Sequence, residues 1–314
     1  MKRKALVIGC GKIGAQYDLE NDDIQTHAKA LFESEYFNLS FYDTKSDLSS
    51  LIATRYKGNC LSELKSIPPG IFDLVSICSP TAQHKEQLEF FLRLNTPVII
   101  CEKPISYSVT DLDEIEQYAS NSHARVLVNY IRSFQPAFIS FKKSFSEYLN
   151  SMTLQEVVVK YTGGFLNNAS HAFDLLEFLL DERLALTKIT HSSSVPDRFT
   201  NDPTRSFSAE WNNFRIHLIG LTGIEYPIFT IELYYLDHGI LITNSGDTIK
   251  LVRYKENNSI PIFQADGCIK NYMRPVVQRA IECFYPGTST NFSNSLRLNR
   301  NMLDIIDGAT VKSS

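Results

Sequence analysis

Residues Ala5-Leu6-Val7-Ile8-Gly9-Cys10-Gly11-Lys12-Ile13-Gly14 decide the fold. The apolar run Ala5 to Ile8 is short, as a parallel strand covered on both faces would be. It runs straight into G-x-G-x-x-G. Gly9 permits a tight turn, and Gly11 has no side chain to hold a pyrophosphate away from the backbone. Gly14 lets the following helix pack closely on the strand. Free N–H groups at that helix start, around Lys12 and Ile13, would face the phosphates of a dinucleotide.

Further along, strand and helix alternate. Gln16 to Gln25 is polar and acidic, with Asp18, Glu20, Asp22 and Asp23, and reads as a solvated loop. Thr26 can cap a helix running to about Ser34. His27 in its first turn reads as a neutral structural histidine rather than a ligand. A second strand, Asn38 to Tyr42, ends at Asp43, where such a fold places an acid on the adenosine ribose. Asp43 lies 29 residues after Gly14, against the usual ~20, and the acidic loop accounts for the excess. Thr44 follows rather than arginine, which favours NAD; Lys45 keeps NADP possible. Further strands are Phe72 to Cys78, Val98 to Cys101 and Ala124 to Asn129. Helices fall at Ser46 to Tyr56, after Pro80, and at Asp111 to Ser120. This is the signature of a doubly wound parallel sheet.

After residue ~150 the pattern changes. Strand-like runs crowd together at Leu154–Tyr161, Leu184–Thr190, Ser206–Trp211, Arg215–Leu221, Ile228–Leu236, Gly239–Thr243 and Thr248–Tyr254. Within this series only Ala169–Leu180 reads as a helix. Two helices close the chain, near 267–284 and 294–307. The expected architecture is α/β: an N-terminal Rossmann domain over 1–125, with closing elements to about 150, and a C-terminal α+β domain over 126–314. The second domain should carry an open, mostly antiparallel sheet.

Composition narrows the class. The 314 residues carry 31 basic and 35 acidic side chains, a net charge of −4. That balance argues against a nucleic-acid surface. No apolar run reaches the ~18 residues of a membrane span, and the start of the chain does not read as a signal peptide. Six scattered cysteines without a C-x-x-C pair read as reduced core residues of a cytoplasmic protein. They form no zinc site, and the dispersed histidines suggest no other metal.

Ligands of open α/β sheets bind beyond the carboxyl ends of the strands. Glu102-Lys103-Pro104 falls at such an end. Lys103 can bond a substrate hydroxyl there, or simply pair with Glu102 at the surface. The other candidate is Gly163-Gly164-Phe165-Leu166-Asn167-Asn168-Ala169-Ser170-His171-Ala172-Phe173-Asp174. Asn167 and His171 share a helical face, as do His171 and Asp174. His171 is placed to act as a general base, or is a buried histidine satisfied by Asp174.

Taken in order, Gly9-x-Gly11-x-x-Gly14, Ser79-Pro80-Thr81 with His84, Glu102-Lys103-Pro104 and Asn167-x-x-x-His171-x-x-Asp174 resemble one family. It is the glucose–fructose oxidoreductase / inositol dehydrogenase / rhizopine catabolism (Gfo/Idh/MocA) family, and the resemblance spans nearly the whole chain. It implies a nicotinamide-dependent oxidoreductase acting on a sugar, polyol or sugar nucleotide. The resemblance makes Lys103 and His171 catalytic, with Asn167 beside them. It makes Asp43 the ribose acid and places Ser79, Pro80, Thr81, His84 and Glu102 on the cofactor side. It also implies a frequently cis Pro104 and a homodimer or homotetramer built through the C-terminal sheet. Tyr130 and Arg132, after the strand Val126 to Asn129, could reach the substrate. Two positions depart from the family pattern: Asn167 stands where aspartate is common, and Ala169 where glycine is usual. Asparagine can bond a hydroxyl but cannot stabilise a protonated His171 by charge. That departure leaves open a catalytically weak nucleotide-binding sensor or partner subunit. A reductase of a cyclic imine or tetrapyrrole is a further alternative.

Overall fold

The computed structural model describes residues 2–199, 201–256 and 258–308. The chain divides into two compact units, 1–131 with 271–297, and 132–270 with 298–314.

The first unit is built on a six-stranded sheet, every strand parallel to its neighbours. Its strands are β1 (Arg3–Ile8), β2 (Phe37–Tyr42), β3 (Asn59–Cys60), β4 (Leu74–Ile77), β5 (Val98–Cys101) and β6 (Arg125–Val128). They lie in the order β3-β2-β1-β4-β5-β6. The order reverses direction between β1 and β4, which is the switch point where doubly wound folds bind nucleotides. Ala5, Leu6, Val7 and all of β5 are 0% exposed. That burial explains why these strands are unbroken apolar runs rather than alternating ones. The crossover helices are α1 (His27–Glu33), α2 (Ser46–Arg55), α3 (His84–Arg93) and α4 (Val109–Ser120). Thr26 caps α1 by accepting from Lys29 N at 3.2 Å, as its side chain predicts.

In the second unit, α5 (Pro136–Asn150) precedes β7 (Leu154–Thr162), and α6 (Ser170–Leu180) follows it. The strands β8 (Leu186–Val195), β9 (Thr204–Trp211), β10 (Phe214–Leu221), β11 (Phe229–Tyr235), β12 (His238–Thr243), β13 (Thr248–Lys255) and β14 (Asn258–Asp266) come next. They make an eight-stranded sheet in the order β14-β13-β12-β11-β7-β10-β9-β8. Only β7 and β10 pair in parallel. Burial alternates residue by residue along β11, so one face is covered and the other is not. On the covered face Phe165 and Phe173 join Phe207, Trp211 and Phe214 in an aromatic cluster, with ring centroids 5.5–6.2 Å apart.

β14 has no counterpart among the strands expected from sequence. Nearly all of it is exposed, and it carries Pro261 opposite a register shift in β13. An edge strand with no buried face shows no period-two pattern, and its edge position tolerates proline. Two helices follow, α7 (Met273–Glu282) and α8 (Phe292–Ile306). The chain re-enters the first unit at Asn271, so α7 belongs with the parallel sheet. Among the described residues, no helix is long and apolar enough to cross a membrane.

Candidate active site

After β1 the glycine motif folds as the sequence demands. Gly9 has φ +88°, and a Cβ there would sit 2.7 Å from Cys78 C and Ser79 N. A Cβ on Gly14 would lie 1.9 Å from Gly9 O, so the turn closes only on glycine. Gly11 differs: a Cβ there would meet nothing within 4 Å. The backbone thus faces open space where a pyrophosphate must approach. Dinucleotide geometry and these residues therefore fit. The helix expected next is reduced to one π-turn, Lys12–Gln16, with Lys12 exposed and Ile13 half-buried. The acidic loop then turns back on Asp18. This residue is not solvated, as expected from sequence, but 1% exposed. Its carboxylate accepts from Gln25 N, Thr26 N and Thr26 Oγ1 at 2.7–2.8 Å.

Asp43 follows β2. Its Oδ2 accepts from Cys10 N at 2.7 Å and its Oδ1 from Lys45 N at 2.9 Å. The acid thus clamps the glycine turn to the end of β2, and Thr44 and Lys45 lie exposed beside it.

At the end of β5, Glu102 is 8% exposed. Its Oε1 lies 2.8 Å from His27 Nε2 and accepts from Asn129 Nδ2 at 2.5 Å. The other ring nitrogen of His27 lies 2.6 Å from Ser76 Oγ. His27 is therefore a structural residue, 0% exposed. The expectation that it is neutral fails. Burial works against a charged ring, but neighbouring Cys78 and the carboxylate of Glu102 outweigh it and hold the imidazole above its ordinary value. Burial likewise opposes the Glu102 charge, and His27 reverses that and lowers the carboxyl. The pair fixes the residue just before Lys103, which is half-buried and joined to Pro104 by a cis peptide bond.

His84 braces the same rim. It is 1% exposed, with Nε2 2.8 Å from Ser79 O and Nδ1 3.0 Å from Pro104 O. Burial lowers its proton affinity despite these carbonyls. A neutral ring donates to only one of the two carbonyls. Ser79 donates to Gln87 Oε1 at 2.6 Å. Pro80 is exposed and Thr81 half-buried, leaving these two as the surface of that loop. Tyr130, beyond β6, is 0% exposed.

The remaining candidates belong to the second unit. Gly163 and Gly164 have φ +82° and +86°. They lead into a second π-turn, Phe165–Ala169, which continues into α6. Asn167 sits half-buried in this turn, and His171, 9% exposed, lies in the first turn of α6. Asp202, on the connection from β8 to β9, comes to the same place. It is 0% exposed, and its carboxylate accepts from Leu166 N at 2.6 Å, Asn167 N at 2.8 Å and Asn167 Nδ2 at 2.8 Å. Nothing in the sequence marked it, since it stands 35 residues from Asn167 in a connection without a motif.

Asp174 is half-buried, and its Oδ2 is enclosed without a hydrogen-bond partner among the described residues. Burial pushes its carboxyl up to about 8, with Ser133 and Arg132 pulling the other way. It is thus a neutral acid at pH 7 rather than a counter-charge for His171. Arg132 is 7% exposed, lies 3.8 Å above the Phe229 ring, and donates to Ser245 O at 2.7 Å.

Residues 3–130 match an oxidoreductase family with an NAD-binding Rossmann fold, the Gfo/Idh/MocA family. The match agrees with the resemblance that the ordered motifs carry and lies within the first unit. The chain is 28% identical over 123 residues to inositol 2-dehydrogenase of Rhizobium meliloti (strain 1021). The match takes in 35% of this chain and 37% of that protein's length. Among solved structures, it resembles a 3-ketoreductase from Actinomadura kijaniata in complex with NADP and TDP-benzene, with TM-score 0.81, 11% identity and all of both chains covered. It also resembles UDP-N-acetylglucosamine 3-dehydrogenase from Acidithiobacillus ferrooxidans, with TM-score 0.75, 13% identity and 98% of each chain covered. A dehydrogenase from Clostridium difficile gives TM-score 0.76 at 15% identity, over 98% of this chain and 100% of that one. At these identities the structural likenesses establish the fold. Over residues 3–130 the family match gives the NAD-binding Rossmann fold of an oxidoreductase family.

Proposed function

We propose that this protein transfers a hydride between a nicotinamide cofactor and a CH–OH group of a sugar, polyol or sugar nucleotide. The observation that carries the reading is the C-terminal rim of the parallel sheet. There an open-faced Gly11 and an Asp43-clamped turn lie on β1, and Lys103 follows a fixed Glu102 at the end of β5. The kinds of substrate follow the activities of the similar proteins, an inositol dehydrogenase and a sugar-nucleotide dehydrogenase.

The cofactor, when bound, supplies the hydride chemistry. Gly9, Gly11, Lys12, Ile13 and Gly14 would hold its pyrophosphate and Asp43 its ribose, with NAD favoured over NADP. Ser79, Pro80, Thr81, His84 and Glu102 shape the cofactor side of the rim. In the first unit Lys103 donates to a substrate hydroxyl and favours its deprotonation, and in the second His171 offers a ring nitrogen as general base. Asn167 orients a hydroxyl, and Tyr130 in the first unit and Arg132 in the second are the further residues we assign to substrate binding. Six free cysteines support a reducing compartment such as the cytoplasm. The half-open sheet of the second unit is the surface we assign to a homodimer or homotetramer.

Titration of the purified protein with NADH and NADPH, followed by nicotinamide fluorescence, tests the cofactor assignment. A turnover screen on sugars, polyols and sugar nucleotides tests the activity. Binding of neither nucleotide by folded protein overturns the reading. Binding without turnover favours the sensor.

A further inference from the structure

We propose that Asp202 is a positioning residue of the substrate-side turn. It supplies, one layer out, the negative charge that the family motif commonly places at position 167. The inference rests on the dehydrogenase reading above.

Three N–H groups converge on this buried carboxylate: those of Leu166 and Asn167 in the backbone, and the Asn167 amide. Arg205 and Tyr161 are charged and titratable side chains in electrostatic range of the carboxylate. The approach is so close that a Cβ on Gly164 would lie 2.2 Å from Asp202 Oδ2. Gly164 is therefore the imprint of this carboxylate, whereas a Cβ on Gly163 would meet Arg198 and Asn168. Two further bonds fasten the same loops, Gly164 N to Thr204 Oγ1 at 3.1 Å and Phe165 N to Pro203 O at 3.2 Å.

Asp202 also settles what residue 167 must be. The side-chain atom facing it is a donor, Nδ2, at 2.8 Å. An aspartate at 167 would put a carboxylate oxygen there, and two like charges at that separation cannot both stay ionised. Asparagine at 167 is thus the partner that Asp202 requires. Its amide fixes the direction of the Oδ1 end, and the pair keeps one negative charge beside the turn that leads to His171.

The test uses Asn167→Asp, Asp202→Asn and the exchanged pair Asn167→Asp with Asp202→Asn. Restoring the common family residue with Asn167→Asp should lower kcat by about tenfold or more, with less change in KM, and kcat should recover as the pH falls and one carboxyl of the pair is protonated. The exchanged pair removes the like-charge contact and should recover part of the lost kcat, stopping short of the parent because an amide at position 202 can accept from only one of the two backbone N–H groups. Thermal melts from about pH 5 to 9 read the same coupling without activity. Asn167→Asp alone should lose stability as pH rises, because its shared proton must leave, and the exchanged pair should not. The proposal is overturned if Asn167→Asp matches the parent in both turnover and melting, or if the exchange rescues neither. NADH titration of the parent separates the two readings. Failure to bind NADH defeats the dehydrogenase, while the melting cycle still decides the Asp202–Asn167 pair.

Discussion

Glu102 of the first unit and Asp202 of the second are carboxylates enclosed where a connection meets the mouth of a sheet, 8% and 0% exposed. They are satisfied in different ways. Glu102 faces a titratable partner, His27, with Asn129 adding an amide donor. Asp202 faces N–H groups that do not titrate. Asp174 completes the contrast: its Oδ2 has no hydrogen-bond partner among the described residues, and burial pushes its carboxyl up to about 8. A buried carboxyl thus takes its charge state from what answers it. An ion pair makes the surroundings pH-sensitive, a nest of N–H groups makes them rigid, and an unanswered site makes the acid neutral.

The largest expected effect concerns the two groups these frames hold, one in each unit. Lys103→Ala and His171→Ala should each lower kcat by about 10²- to 10⁴-fold while NADH still binds. Full turnover by the Lys103→Ala protein would remove the chemical purpose of the Glu102 frame.

Next comes the ion pair itself. His27→Gln should cost about 3–5 kcal/mol in denaturant unfolding, because it leaves a buried carboxylate without its cation. Its pH signature has a defined sign. His27 is raised in the fold, so its contribution is full below the ordinary imidazole value and is lost as pH rises through the raised one. Glu102 is lowered, so its contribution is full above the ordinary carboxyl value and fades as pH falls through the lowered one. His27→Gln should therefore flatten the alkaline side of the stability profile. An unchanged alkaline side would put the two frames in one class.

A smaller effect is expected at the N–H frame. Gly164→Ala should cost about 1–3 kcal/mol, through a positive φ that disfavours a side chain and the collision with Asp202. If Gly164→Ala in the Asp202→Ala background costs as much as in the parent, the glycine is there for its backbone angle alone.

Asp174→Asn replaces a raised acid by a near-isostere, and its effect is smallest in acid and grows with pH. Asp174 is raised to about 8, so its contribution is full below the ordinary carboxyl value and is lost progressively as pH rises from there through the raised one. The variant should match the parent in acid and melt at a higher temperature than the parent in alkali. A melting curve that falls in parallel with the parent across that range would show Asp174 to be ionised in the fold.

Much of this molecule can be read from sequence because the informative contacts are local. Ala5 to Ile8 is uniformly apolar because the strand is buried on both faces, and Gly14 answers a contact with Gly9 in the same turn. Thr26 needed only the N–H three residues on. The alternation in β7 and β11 follows from a sheet with one covered face. Such patterns survive in one dimension because helix and strand periods impose them on neighbouring residues. Buried charge does not obey them. Asp18 looked like a solvated loop residue until the loop was seen to close on its carboxylate. His27 lies 75 residues from Glu102, and Asp202 lies 35 from Asn167. The sequence by itself determined the parallel sheet, the glycine turn and the residue types available at the two rims. Only tertiary structure decided which buried acids are charged, since a carboxyl's proton is set by the donors and dielectric around it, and long loops bring those together without leaving a period in the chain.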